Sequence, residues 1–114
     1  MKRRFVEAEL PEVAPAQALA RAIALLTDQQ DVHAFLRDLC TPAELEALSD
    51  RWRVVPLLLG DVAYREIHAR TAVSVTTIGR VARCLSDGSG GYQIAIRKLK
   101  RRKQWPTQPD GQNS

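Results

Sequence analysis

An all-α fold is predicted for this chain by three observations. Apolar residues recur at helical spacing in one stretch after another. No stretch shows strand-like alternation, and no segment repeats. A helix-opening signature, Thr41-Pro42-Ala43-Glu44, precedes the longest apolar stripe: Thr as N-cap, Pro at N1 and Glu at N3 satisfy two orphan amides reciprocally. At 114 residues the chain allows one domain. That domain is placed at 15–103, behind a loose arm over 1–14 containing Pro11 and ahead of a structureless tail over 104–114.

The elements follow in order. Leu19, Ala22, Ile23 and Leu26 share a face of a helix over 16–26. Asp28 can cap the next, which presents Val32, Phe35, Leu36 and Leu39. The capping box at Thr41 opens a helix carrying Leu45, Leu48, Trp52, Val55 and Leu59. Val54, Leu57 and Leu58 widen that stripe beyond what a monomeric surface helix needs, which points to a central or dimer-forming helix. Pro56 lacks an amide donor and should kink or end it nearby. Gly60-Asp61 makes a break. Ala63 stands where an N-cap hydroxyl would be, so the helix from Tyr64 should be short and somewhat frayed. Ser86–Gly91 reads as a flexible turn, and Tyr92, Ala95, Ile96 and Leu99 as a last stripe.

The most informative segment is 64–85, YREIHARTAVSVTTIGRVARCL, which reads as two short helices joined by a tight turn. Ser74 is placed as N-cap of the second, its hydroxyl accepting from the amide of Thr76 or Thr77. Val75, Ile78, Val81, Ala82 and Leu85 then line one side, and Thr76, Gly79, Arg80 and Arg83 the other. Hydroxyl and guanidinium groups are what a helix uses in the major groove, where Arg bonds guanine bidentately and Thr touches a thymine methyl. Gly79 removes bulk there at about 1 kcal/mol of helix propensity. An ordinary amphipathic helix with a solvated outer face remains the alternative.

Composition narrows the partner. The net charge of +4 favours an acidic one, and much of the excess sits in the run RKLKRRK over 97–103, a solvated helix end or a phosphate-contacting segment. No stretch approaches the ~20 apolar residues that span a bilayer. The start, MKRRFVEAEL, has no apolar run behind its charges, so a cytoplasmic protein without a signal peptide is expected. Cys40 and Cys84 have no metal-like spacing and read as small buried residues of a reducing compartment. His33 and His68 are isolated, the carboxylates Glu44, Glu46, Asp50, Asp61 and Glu66 fall mostly on solvated faces, and Ser74 has no base nearby in sequence. No catalytic residue, metal site or cofactor is therefore expected.

The blocks LCTPAELEAL, DRWRVVPLLL, YREIHARTAVSVTTIGRVARCL and GSGGYQIAI together resemble the Trp-repressor superfamily, most closely its YerC/YecD-type branch. The resemblance spans roughly Val32 to Leu99. It implies a Trp-repressor-like helical domain, with a helix-turn-helix over 64–85, that forms an intertwined homodimer and binds double-stranded DNA as a transcriptional regulator, most simply a repressor. Arg65, Ser74, Thr76, Thr77, Arg80 and Arg83 are the expected DNA-binding residues: Thr76, Arg80 and Arg83 for base edges or nearby phosphates, the others for phosphates. In tryptophan-sensing members the co-repressor lies between the central and recognition helices. The polar positions that hold it correspond to Thr41, Arg51, Thr77 and Arg80. A small Gly that makes room for the indole is Val81 here, which argues against tryptophan as ligand. Arg51 then reads as a structural group bonding a helix end or a carboxylate, or as a seat for another small anion. The usual turn glycine is Ala72, strained if its φ is positive. His68 replaces a small residue under the recognition helix and is expected to be half-exposed. A dimer that docks another protein through the same helices is the rival function.

Overall fold

A computed structural model describes residues 14–106. The arm up to residue 13 and the tail from 107 lie outside the described residues, so the arm expected over 1–14 is untouched except at Ala14. The described residues form α1 (Pro15–Leu25), α2 (Gln29–Leu39), α3 (Pro42–Arg53), α4 (Val55–Leu59), α5 (Tyr64–Thr71), α6 (Val75–Asp87) and α7 (Gly91–Arg101), with no strand among them. They divide into two compact units, one ending at Leu45 and one beginning at Glu46.

In the first unit the helix starts follow local chemistry. Pro15 occupies the first turn of α1, where its missing N–H is no loss. The Asp28 carboxylate accepts from the Gln30 amide at 3.1 Å and caps α2. The Thr41 box is closed in both directions: Thr41 N–H donates to Glu44 Oε1 at 2.8 Å, and Glu44 N–H to Thr41 Oγ1 at 3.1 Å. Yet no residue of α1 or α2 is buried, and Leu25 is 78% exposed.

The second unit holds the core. The central helix anticipated through Leu59 is two helices here, because α3 stops at Arg53 and α4 begins at Val55. Proline explains the break. Within one continuous helix, Pro56 would leave the Trp52 carbonyl without its donor and press its ring on that group. In the first turn of α4 neither penalty arises. Val54, Val55, Ile67, Val73, Ile78, Val81 and Ile96 form the core, with Trp52, Leu57, Leu58, Val62, Leu85 and Tyr92 packed against it. Fully burying one such aliphatic side chain stabilises by about 1.5–3 kcal/mol. Cys40 and Cys84 are free thiols and half-buried rather than buried.

Two terminal features differ from the reading above. Ser86 and Asp87 belong to α6, so the connection to α7 is only Gly88-Ser89-Gly90, turned by Gly90 at φ 88°. Gln93 of α7 donates its side-chain amide to the Leu85 carbonyl near the end of α6. Beyond α7 the chain folds back: Lys103 adopts φ 58° and Gln104 N–H donates to the Leu99 carbonyl at 2.8 Å, a Schellman-type close. Trp105, assigned above to the structureless tail, packs against the core, its ring edge-on to Trp52 at 6.0 Å, while Trp52 stacks on Tyr92 at 6.1 Å.

Candidate nucleic-acid interface

The segment 64–85 folds as α5, the turn Ala72-Val73-Ser74, and α6. Ala72 sits at φ 65° and ψ 5°, the left-handed conformation that a glycine would take without steric cost. Several hydrogen bonds hold the turn. Ala72 N–H donates to the His68 carbonyl at 2.8 Å. His68, protonated at Nδ1, donates to the Val73 carbonyl at 2.8 Å. Thr71 Oγ1 donates to the Ile67 carbonyl at 2.7 Å and accepts from Val73 N–H at 3.1 Å. Arg53, at the end of α3, reaches the Thr71 carbonyl at 3.4 Å and has Asp50 at 3.8 Å. Val73 and Ile67 plug the space beneath. Sequence reasoning missed the Arg53 and His68 contacts. The first joins residues eighteen apart, and the second depends on a turn geometry that periodicity does not reveal.

Ser74 caps α6 as expected, its hydroxyl accepting from Thr77 N–H at 3.1 Å and donating to Thr77 Oγ1 at 3.0 Å. With Thr77 thus engaged and half-buried, the Ser74, Val75 and Thr76 amides remain the orphan donors of the helix start. The inner face is Ile78 and Val81, both fully buried, with Ala82 and Leu85 half-buried. Val75 is a correction: placed above on the dry side, it is 48% exposed. At the first turn α6 has not yet come under cover of its neighbours, so helical register alone misassigns it.

The outer face is open. Thr76, Arg80 and Arg83 are exposed on α6, and Arg65 is exposed in the first turn of α5. Among the described residues the ion pairs are Arg53–Asp50 and Arg70–Glu66, the latter at 2.6 Å. Arg65, Arg80 and Arg83 have no carboxylate partner among the described residues, which leaves their charge open to an external anion there. Of the residues implicated in effector binding, Thr41 belongs to the first unit, where it is used in the capping box. Thr77 and Arg80 lie one turn apart on α6. Arg51 lies on α3, half-buried and without a hydrogen bond or ion pair among the described residues. His68 is exposed, more open than anticipated.

Residues 15–100 match the family model described as Trp repressor protein. The chain belongs to the Trp repressor family. It is 35% identical over 82 residues to the uncharacterized protein YerC of Bacillus subtilis (strain 168), covering 72% of this chain and 79% of that protein. Its fold is similar to the crystal structure of a TrpR-like protein from Eubacterium eligens ATCC 27750, with a TM-score of 0.70 and 31% identity, over 84% of this chain and 96% of that one. These likenesses place it in the YerC-type branch of the superfamily. No helix among the described residues is long and apolar enough to cross a membrane.

Proposed function

We propose that this chain is a homodimeric, sequence-specific DNA-binding regulator of transcription, a repressor, with α6 as the recognition helix of a helix-turn-helix lying in the major groove. The observation that carries the reading is the division of α6: Ile78 and Val81 fully buried, Thr76, Arg80 and Arg83 exposed, the two arginines with no carboxylate partner among the described residues. A solvated outer face would serve equally well with glutamate or lysine. Guanidinium groups and hydroxyls at successive turns suit base edges and phosphates. The family supports the same reading. The uncovered apolar faces of α1 and α2 support the dimer, since Leu19, Leu25 and Leu39 remain exposed in a single chain. Two-fold helix-turn-helix dimers present their recognition helices about 34–36 Å apart, matching a palindromic site.

Thr76 and Arg80 read base edges in this scheme. Arg65 neutralises a phosphate, and the start of α6, capped through Ser74 and Thr77, faces another. No indole ligand is required. Val81 supplies, from the chain itself, an apolar group packed with the core on the inner face of α6. The test is a titration of DNA affinity against salt with duplexes selected from a random pool. Wild-type protein should show a steep negative dependence of log K on log salt. Arg80→Ala should lose affinity by about 1–3 kcal/mol on the selected duplex and relax discrimination. Arg65→Ala should weaken selected and scrambled duplexes alike and flatten the salt dependence. Salt-independent or absent DNA binding would favour the protein-docking alternative.

A further inference from the structure

Gly79 lies in the middle of α6, and what surrounds it was not legible in the sequence. A side chain begun at Gly79 would meet Tyr64 Cε2 at 3.9 Å and Arg83 Nη1 at 3.8 Å. The missing side chain thus leaves a methyl-sized notch on α6, with a phenol ring from α5 on one flank and a guanidinium on the other. Tyr64 is 42% exposed, and its hydroxyl has no hydrogen-bond partner among the described residues. Arg83 is exposed and has no ion pair there. The carboxylate two residues from Tyr64, Glu66, is held by Arg70 through bonds of 3.1 and 2.6 Å. It does not compete for either donor.

We propose that Tyr64 and Arg83 form one phosphate clamp across Gly79, the phenol O–H and the guanidinium N–H groups both donating to the DNA backbone beside the bases read by Arg80. The inference rests on the DNA-binding reading above and deepens it. It adds Tyr64 to the interface and moves Arg83 from base reading to backbone positioning. Three features point to a phosphate rather than a base. The donors come from two different helices, as backbone contacts that fix register do. One of them is uncharged, so it adds a directed bond without adding to the ionic term. The phenol ring lies beside Gly79, its Cε2 3.9 Å from where a Cβ would stand, so the hydroxyl opens on the same side of α6 as the Arg83 guanidinium.

The clamp predicts a signature distinct from that of the other residues. Fluorescence anisotropy would follow wild type, Tyr64→Phe, Arg83→Gln and the double variant, on a duplex selected from a random pool and on a scrambled duplex of equal length, across a salt series. Tyr64→Phe keeps the ring and removes only the donor. It should lose about tenfold on both duplexes, with the salt slope unchanged. Arg83→Gln should lose affinity on both and shallow the slope by about 1.8, since the dimer loses one phosphate contact from each protomer. The double variant should lose less than the product of the two, because one phosphate is shared. Gly79→Leu, which fills the notch, should approach the double variant while thermal unfolding shows it folded. Tyr64→Phe binding like wild type, or losing affinity on the selected duplex alone, would overturn the clamp. So would strictly multiplicative losses. Should wild type bind but Tyr64→Phe match it, only the clamp falls. Should wild type bind neither duplex, the DNA-binding reading falls and the clamp with it.

Discussion

Ala72 offers the sharpest test of how the turn between α5 and α6 is held. Its φ of 65° and ψ of 5° put Cβ too close to the neighbouring carbonyl, a penalty of roughly 1–2 kcal/mol for an L-residue. Ala72→Gly removes that penalty. It also makes the unfolded chain more flexible, which offsets about 0.4–1 kcal/mol. The methyl group is exposed, so its removal forfeits little burial, and the Ala72 N–H bond to the His68 carbonyl belongs to the backbone and stays. The balance is a stabilisation of about 0.5–1 kcal/mol. With a slope of about 1–3 kcal/mol per molar urea, typical of small proteins, the unfolding midpoint should rise by a few tenths molar at unchanged slope. Protein concentration must be held fixed, because association of two chains would itself move the midpoint. Ala72→Val, which puts a β-branched side chain into the same conformation, should move it the other way. A lower midpoint for the glycine variant would refute the strain argument and show that the turn does not need a left-handed residue in solution.

Other perturbations bear on separate links. Ser74→Ala removes the acceptor for the Thr77 amide and should lower the urea midpoint by the equivalent of about 1 kcal/mol. Val81→Gly should destabilise by roughly 3 kcal/mol, combining lost burial with a glycine inside a helix. Tryptophan should raise the melting temperature of that variant and leave wild type unmoved, a calorimetric comparison that fails if wild type responds. Trp105→Ala should lower stability by about 1–2 kcal/mol through loss of the edge-on contact with Trp52 and the packing around it.

What the sequence disclosed was mostly local. The caps at Asp28, Thr41 and Ser74 each bond an amide two or three residues away, so residue identity and spacing suffice to find them. The same holds for the helical stripe that put Ile78 and Val81 inward and Arg80 outward. Pro56 was a correct warning, but the place of the break at Val54 follows from how a second helix restarts around it. What stayed hidden is non-local: Arg53 reaching the Thr71 carbonyl, Trp105 returning to Trp52, and Val75 left uncovered at the first turn of α6.

The candidate interface shows the same division. Arg80 and Arg83 were found by counting along one helix, whereas Tyr64 is separated from Gly79 by a turn whose geometry depends on a left-handed alanine. Gly79 was legible as missing bulk, but its meaning depends on what borders the gap. Gly79→Ala separates two explanations, because a methyl group there makes only ordinary contact with Tyr64 and Arg83. It should stabilise the fold by up to about 1 kcal/mol through helix propensity. If the glycine exists to let a DNA backbone come close, the same variant loses affinity on every duplex. If it exists to seat the Tyr64 ring and the Arg83 guanidinium around a small notch, alanine leaves binding near wild type and only larger residues abolish it. Anisotropy on Gly79→Ala therefore decides between close approach and a seated side chain.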